Sequence, residues 1–264
     1  MKNWVGLLIV TFAYSISCFT QQDLKAINEG EKYASKAEEY SIKAVKACEN
    51  DNRKKCLELF EKSIAFYTQA IDADPQEDNY YLNRGLTYDY IENQTAALED
   101  FTKGIELNPD KTLCYIARSQ TRRLMDDYQG SYADAMKHSE IYGDDNESLQ
   151  CKRHALLNLK EFEVAITVIT QIIEKNPDND YYYINRSYAY YGLKDFEHAF
   201  IDAFKSVELE NRNPYVYKNL ALMYYAIGEK EEASNAAKGG LNWGFPVDSD
   251  PDFQELLVNL GFSN

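Results

Sequence analysis

Histidines are the side chains of this sequence that most directly suggest catalysis or metal binding, and they are few and scattered. They are His138, His154 and His198, and none has a second ligand at the spacing of a metal motif. The sequence also has no glycine-rich phosphate loop, nucleophile elbow or Ser/His/Asp order. We therefore predict a protein that is not an enzyme and that has no bound metal or cofactor.

Three acidic residues near the C-terminal end imitate the start of a calcium loop. Asp248, Asp250 and Asp252 have the alternate spacing of such a loop. Its sixth place, normally glycine, is Phe253, and its twelfth, normally glutamate, is Asn259. The run therefore predicts helix capping by aspartate instead of calcium binding.

Four cysteines between residues 48 and 151 raise the question of disulfide formation. Cys48 and Cys56 lie on either side of a turn predicted at residues 50–52 (NDN). A helical hairpin there could bring their α-carbons within the ~4.4–6.8 Å that a disulfide requires. A bridge and two separate thiols are equally consistent with the sequence. A bridge between Cys114 and Cys151, on two different predicted helices, is less favoured.

The segments that carry these residues repeat every 34 residues. Pro75 and Pro109 are 34 residues apart, and Pro177 follows Pro109 at twice that spacing. Residues 80–85 (YYLNRG) recur as residues 182–187 (YYINRS), at three times 34. A constant period over several landmarks predicts an array of similar structural units.

Within each unit the side chains follow the period of two helices. With starts at 78, 112, 146, 180 and 214, the fourth residues are large and apolar or aromatic: Tyr81, Tyr115, Leu149, Tyr183 and Tyr217. The twentieth residues are small: Ala97, Ser131, Ala165, Ala199 and Ala233. Positions 4, 7, 8 and 11 share one face of a first helix, and positions 20, 24 and 27 share one face of a second. The pattern predicts antiparallel helix pairs without strands.

These units resemble the tetratricopeptide repeat family, whose period is 34. Unit 78–111 has the signature residues of the family at their usual places: Gly85, Tyr88, Ala97, Phe101, Gly104 and Pro109. The resemblance covers roughly residues 78–245. It implies an all-α fold, a right-handed superhelical solenoid of antiparallel helix pairs.

Several positions depart from the family pattern. Position 7, usually leucine, is occupied by Arg84, Arg118, Lys152 and Arg186. Arg122 occupies position 11, and Asn211 replaces the terminal proline of the fourth unit. We take these departures to predict local irregularity within the same fold.

The period also predicts the division of the chain. The five units are 78–111, 112–145, 146–179, 180–213 and 214–245, and residues 21–77 are predicted to form an N-terminal helical pair or capping repeat. Residues 246–264 are predicted to contain a capping helix that Pro251 begins. Its Leu256, Leu257 and Leu260 are expected to cover the exposed apolar face of the last repeat, as solenoids require.

Residues 1–20 have the pattern of a signal peptide. Lys2 precedes an apolar run that is shorter than the roughly 20 residues of a membrane-spanning helix. Residues 15–18 (SISC) end like a bacterial lipobox, with Ser15 where an aliphatic residue is usual. Cleavage before a lipidated Cys18 and cleavage after Thr20 both remain open. We expect an exported protein of bacterial type that is periplasmic, tethered to the outer membrane or secreted.

The charge balance restricts the partners. The chain has 28 Lys and Arg against 43 Asp and Glu, a net charge of −15. A field of this sign repels nucleic acid phosphates and anionic membrane surfaces. We therefore expect a protein or peptide partner, no nucleic acid, and membrane contact only through a possible lipid anchor at Cys18.

The family resemblance further implies which residues contact a partner. In this family the first helices line a concave groove, which positions 2, 5, 6, 9 and 12 face. Asparagine at position 6 can both donate to and accept from a peptide backbone. The implied peptide-binding residues are Asn83, Asn185, Asn219, Tyr181, Tyr188, Tyr191 and Tyr215. In the alternative interpretation, the asparagines bond a neighbouring helix.

Two functions agree with these observations. The first is a non-catalytic protein–protein interaction module that holds an extended peptide or a protein surface in the groove. The second is a structural envelope-associated lipoprotein or scaffold that uses its convex face and caps. The paired lysines and asparagines with which chaperone-binding relatives clamp acidic peptides are absent, and the bases implied to face the groove are Arg123, His154 and Lys218. Recognition by such a clamp is therefore not expected.

Overall fold

The computed structural model describes residues 21–262, and this part of the chain is helical and contains no strand. The helices are α1 (Gln21–Glu49), α2 (Arg53–Ala73), α3 (Asp78–Tyr90), α4 (Gln94–Leu107), α5 (Thr112–Leu124), α6 (Tyr128–Tyr142), α7 (Asn146–Asn158), α8 (Phe162–Lys175), α9 (Asp180–Gly192), α10 (Phe196–Leu209), α11 (Pro214–Ala226), α12 (Lys230–Asn242) and α13 (Pro251–Asn259), with a 3-10 turn at Val247–Ser249. The predicted all-α class is confirmed. The predicted signal peptide, including Cys18, lies outside the described residues.

The helices repeat with a regular local geometry. Helices α3, α5, α7, α9 and α11 begin 34 residues apart. The fifteenth residue of each unit has a left-handed backbone: Glu92, Asp126, Lys160, Lys194 and Gly228, with φ between 59° and 92°. Only the last of these is glycine, the residue that adopts this conformation without steric cost. The same turn therefore separates the first from the second helix in every unit.

The N-terminal unit, residues 21–126, contains α1 to α5. Helix α1 packs along α2 through small residues, among them Ala34 and Ala37, which lie against Tyr67 and Ala70. Farther along the chain, Leu82 and Phe101 pack with Cys114. Gly104 permits this contact, because a Cβ atom there would lie 2.8 Å from the Cys114 sulfur. Burial raises the pKa of the Cys114 thiol to about 11, so it stays protonated at neutral pH.

A disulfide joins the two helices of the first pair. Cys48 in the last turn of α1 and Cys56 in the first turns of α2 are bonded, with α-carbons 5.2 Å apart. The bridge closes a loop with a sequence separation of 8 residues. In the chain-entropy view, so short a loop contributes about 2–3 kcal/mol by restricting the unfolded state.

The C-terminal unit, residues 127–262 of the described chain, contains α6 to α13. Its core consists of apolar clusters in succession along the repeats. One is centred on Leu149 and Ile169, and another on Val216 and Met223. No helix within residues 21–262 has the length and apolar character needed to cross a bilayer.

Helix α13 packs against α11 at the end of this unit. Phe253, Leu256 and Leu257 are buried there, and Leu260 is partly buried. Asp250 caps the helix by accepting a hydrogen bond from the Phe253 backbone N–H at 2.9 Å. The aspartate capping predicted for this segment is thus present at Asp250.

Two arginines at position 7 make the same set of interhelical hydrogen bonds, which we call the arginine bridge. Arg84 donates two hydrogen bonds to the Asp100 carboxylate (2.7 and 2.8 Å) and one to the Thr68 hydroxyl (3.0 Å). In the C-terminal unit, Arg186 does the same with Asp202 and Thr170. The bonds to Asp202 raise the pKa of Arg186.

The other two basic residues at position 7 are also engaged. Arg118 donates to Thr102, the counterpart of Thr68, at 3.0 Å, and Lys152 donates to Asp144 at 2.6 Å. The predicted local irregularity is therefore wrong for Arg84, Arg118 and Arg186, whereas Lys152 departs from their bonding pattern. Four of the five units tolerate a cation where the family has leucine, because hydrogen-bonding side chains lie around it.

Candidate binding groove

The groove face of the C-terminal unit is the exposed surface shared by its first helices, α7, α9 and α11. Side chains bond these helices to one another. Gln150 on α7 donates to the Tyr182 hydroxyl on α9 at 2.9 Å. Helices α9 and α11 are in direct contact. The three helices therefore present their exposed side chains on neighbouring surfaces.

A depression of roughly 290 Å³ lies on this face between α7 and α9. It is lined by Arg153, His154, Leu157, Asn158, Lys160, Tyr181, Asn185 and Tyr188. Three of the seven groove residues implied by the family resemblance, namely Tyr181, Asn185 and Tyr188, are brought together here. The depression combines aromatic faces, amides and basic groups.

Arg153 organises this depression, and the sequence-based assignment omitted it. The side chain is buried, with 7% of the residue exposed. Its Nε donates to the Gln150 side-chain oxygen at 3.0 Å, and its Nη1 donates to Asn185 Oδ1 at 3.2 Å. The guanidinium carbon lies 5.1 Å from the centroid of the Tyr181 ring, a cation–π distance. Arg153 thus fixes both Asn185 and Tyr181.

A sequence signal for Arg153 does exist. It occupies position 8, where the other four units have small residues: Gly85, Ser119, Ser187 and Ala221. Small residues at this position agree with close helix packing; in unit 78–111, a Cβ on Gly85 would lie 2.6 Å from the Phe101 ring. A large cationic residue at a position that small residues occupy in the other units distinguishes unit 146–179 from them.

Asn185 is half-buried, and its side-chain amide is partly engaged. Its Nδ2 donates to the Tyr181 carbonyl at 2.6 Å, and its Oδ1 accepts from Arg153. An amide has two N–H groups and two acceptor lone pairs. One donor and one acceptor site of Asn185 therefore remain for a ligand.

The two tyrosines of the depression differ in exposure. Tyr181 is 42% exposed and lies edge-on to Tyr182, with ring centroids 6.1 Å apart. Tyr188 is half-buried against the edge of Phe162, with the Lys218 Nζ 5.3 Å from its ring centroid. Burial raises the pKa of Tyr188, so its phenol is neutral at ordinary pH. Tyr181 is therefore the more exposed of the two rings in the depression.

Near α11 the groove face is held by the C-terminal segment. Tyr215 is 45% exposed and contacts Phe245 edge-on at 5.2 Å between centroids. Lys218 forms an ion pair with Asp250 at 2.8 Å. Tyr191 is half-buried against Phe196 and the apolar residues around α11. Of the two predicted aromatic residues in this region, Tyr215 is exposed, whereas Tyr191 mainly contributes to packing between the helices.

The prediction that Asn219 holds a ligand is wrong. Its side chain is buried, with 5% of the residue exposed, and its Nδ2 donates to the Ile184 carbonyl on α9 at 3.1 Å. Position 6 is also buried at Ala117 and Cys151 in their respective units. The physical reason is that this position meets the neighbouring helices, so the alternative interpretation, an interhelical bond, holds for Asn219.

Asn83 belongs to the N-terminal unit. It lies on α3 with a half-buried side chain. The asparagines at position 6 therefore do not form a continuous row of exposed amides. Among the five units, Asn83 and Asn185 are the asparagines at this position that remain partly exposed.

Comparison with known proteins agrees with this architecture. Residues 78–111 match the family model described as tetratricopeptide repeat. Over 70 residues the chain is 31% identical to Hsc70-interacting protein 1 of Drosophila melanogaster, a segment covering 26% of this chain and 19% of that protein. Over 111 residues it is 34% identical to serine/threonine-protein phosphatase 5 of Rattus norvegicus, covering 40% and 22% respectively. The matches span about a fifth of the length of these relatives.

Solved structures share the fold at low sequence identity. YrrB, described as a TPR protein with an unusual peptide-binding site, superposes with a TM-score of 0.60 at 13% identity, covering 73% of this chain and 97% of YrrB. A tetratricopeptide repeat protein from Parabacteroides merdae gives a TM-score of 0.53 at 15% identity, covering 86% and 99%. These likenesses concern the fold, and with them the predicted repeat solenoid is confirmed.

Proposed function

We propose that this chain, a tetratricopeptide repeat protein, is a non-catalytic module that holds an extended segment of a partner protein on the groove face of its C-terminal unit. The observation that carries the proposal is the depression between α7 and α9, where Arg153 orients Tyr181 and Asn185. A side chain pre-oriented by bonds to the protein loses little freedom when a ligand binds.

The chemistry of the depression suits a peptide main chain. Asn185 keeps one N–H and one lone pair, and the Arg153 Nη2 makes no hydrogen bond within residues 21–262. These groups match the carbonyl and N–H groups of a peptide unit. Tyr181 adds an exposed ring on which a ligand side chain can pack.

Relatives lend support of a general kind. One matched protein is named for its interaction with Hsc70, and one structural neighbour is described as having a peptide-binding site. We extend protein or peptide binding, and no specific partner, from these names to the present chain.

The test is peptide selection followed by titration of a variant. Random peptides displayed on phage are selected on the immobilised protein, and the best one is synthesised and titrated by calorimetry. Replacing Tyr181 with alanine is expected to lower the affinity for this peptide about tenfold, since loss of an exposed aromatic contact costs roughly 1.4 kcal/mol of binding free energy. Binding should depend weakly on salt, because most contacts are to the main chain.

The matched control is Tyr142→Ala. Tyr142 is 72% exposed on α6, a second helix, and lies outside the groove face. Affinity should be unchanged in this variant. Equal affinities of wild type, Tyr181→Ala and Tyr142→Ala would contradict the proposal and favour a scaffold that acts through its convex face. Asn219 is unsuitable for the test, because its replacement would break the bond between α9 and α11.

We also infer that the protein is exported. The Cys48–Cys56 disulfide supports this inference, since such bonds persist in oxidising compartments. Intact mass of natively expressed protein should lack residues 1–17, with diacyl or triacyl mass on Cys18, or lack residues 1–20. Retention of Met1 would contradict export, and a chain that starts at Gln21 would contradict lipidation.

A further inference from the structure

We propose that the disulfide-closed end of the α1–α2 pair binds the phosphate group of a small ligand. The site lies within the N-terminal unit and is independent of the groove proposed above. Three observations support the proposal: the local charge, a surface pocket and the position of the disulfide.

Positive charge is concentrated at this end of an acidic protein. Residues 43–59 include five basic side chains, Lys43, Lys46, Arg53, Lys54 and Lys55, against three acidic ones, Glu49, Asp51 and Glu58. The whole chain has a net charge of −15. A local excess of cations in such a chain attracts anions that the rest of the surface repels.

A pocket of roughly 300 Å³ opens among these residues. It is lined by Lys43, Lys46, Ala47, Asn50, Asn52, Lys55 and Leu59. Lys43 forms an ion pair with Glu39, and both side chains of that pair are more than half exposed. Lys46 and Lys55 have no ion-pair partner within residues 21–262, so two ammonium groups at the pocket are available to a ligand.

The two asparagines add donors. Asn52 Oδ1 accepts the Lys55 backbone N–H at 3.2 Å and so caps α2, which leaves the Asn52 Nδ2 group for another acceptor. Asn50 donates to the Lys46 carbonyl at 2.7 Å, which ties the turn to the end of α1. Lysine ammonium and amide groups together suit an oxyanion with several acceptor oxygens.

The number of cations favours phosphate over carboxylate. A phosphate monoester carries about −1.5 to −2 charge at pH 7 and three acceptor oxygens, whereas a carboxylate carries one charge. The two lysines without an ion-pair partner in the described residues, Lys46 and Lys55, match the larger charge. The lining of the pocket is mainly apolar, and this surface suits the organic part of a small phosphate ester.

The disulfide links the two helices that contribute the pocket lining. Lys43 and Lys46 come from α1, whereas Lys55 and Leu59 come from α2, and the Cys48–Cys56 bond joins the two helices between them. It also closes the loop that contains Asn50 and Asn52. The bond therefore holds together the two helices that carry the donors, and its loss should weaken binding of the ligand.

The experiment is a titration of the 15N-labelled protein with inorganic phosphate at constant ionic strength. We expect saturable amide shifts confined to residues 43–59, and weaker, unsaturated shifts with acetate. The double variant Lys46→Glu plus Lys55→Glu should bind phosphate at least tenfold more weakly. Both lysines are exposed, so this variant should fold normally.

The matched control is Lys230→Glu plus Lys238→Glu, which changes the net charge equally at exposed sites on α12. It should bind phosphate like the wild type. Cys48→Ser plus Cys56→Ser should bind several-fold more weakly. Equal phosphate binding by the two lysine variants, equal response to acetate, or binding to phosphatidylglycerol vesicles without any response to free phosphate would each overturn the proposal.

Discussion

Replacing Arg186 with leucine is expected to lower the free energy of unfolding of the C-terminal unit by about 3–5 kcal/mol. The replacement removes both hydrogen bonds to Asp202, whose side chain is only 4% exposed, and the bond to Thr170. The Asp202 carboxylate then remains buried without its cation. The loss of stability is large because a buried carboxylate without its cation has neither water nor a charged partner to stabilise it.

Urea unfolding followed by circular dichroism measures this effect. Lys205→Ala is the control, since Lys205 forms an exposed ion pair with Glu208 on the same helix as Asp202 and should change stability by less than about 1 kcal/mol.

A double variant separates a lost contact from a stranded charge. Arg186→Leu plus Asp202→Leu replaces the pair by apolar groups and should recover much of the lost stability, because no ion stays buried. If the single and double variants are equally destabilised, or if Arg186→Leu is as stable as Lys205→Ala, then the arginine bridge does not stabilise the unit as argued.

Replacing Phe253 with alanine is expected to weaken the C-terminal cap by about 3–5 kcal/mol. The Phe253 ring is fully buried and packs edge-on against Phe245, with centroids 5.0 Å apart. Phe245 in turn contacts Tyr215, and the N-cap residue Asp250 pairs with Lys218. Loss of the ring leaves a cavity and removes packing contacts. The helix α13 has only nine residues and cannot replace these contacts.

Native-state hydrogen exchange detects this change where it occurs. The amides of α13 should lose protection by the amount of the destabilisation, whereas α7 and α8 should keep theirs. Val258→Ala is the control, because Val258 lies on the same helix with 64% of its surface exposed. Unaltered protection of α13 in Phe253→Ala would show that the cap is not held by this ring.

The cap variant also bears on the groove. Because Asp250 and Phe245 hold Lys218 and Tyr215, Phe253→Ala should reduce the order of the groove face near α11. The depression between α7 and α9 is bonded separately by Arg153, so it should be affected less. This difference follows from the two sets of contacts.

The helical class and the repeat follow from the amino-acid sequence alone. Its landmarks at Pro75, Pro109 and Pro177 and its alternation of large and small residues follow from rules that act within one helix or between consecutive helices. The same reasoning placed Cys48 and Cys56 across one short turn, close enough for the bond that the structure contains. Such features depend on neighbours along the chain, so a single sequence reveals them.

The exposure of individual polar residues, by contrast, depends on how the helices pack in the folded protein. Asn185 and Asn219 are the same residue type at the same repeat position, yet Asn219 is buried against Ile184, whereas Asn185 keeps a partly exposed amide beside Arg153. Likewise, Arg186 departs from the family pattern in the sequence. In the structure it forms the arginine bridge, because Thr170 and Asp202, each 16 residues away, lie on adjacent helices. Burial and hydrogen bonding depend on the residues of the neighbouring helices, and these bonds are decided only when the helices pack.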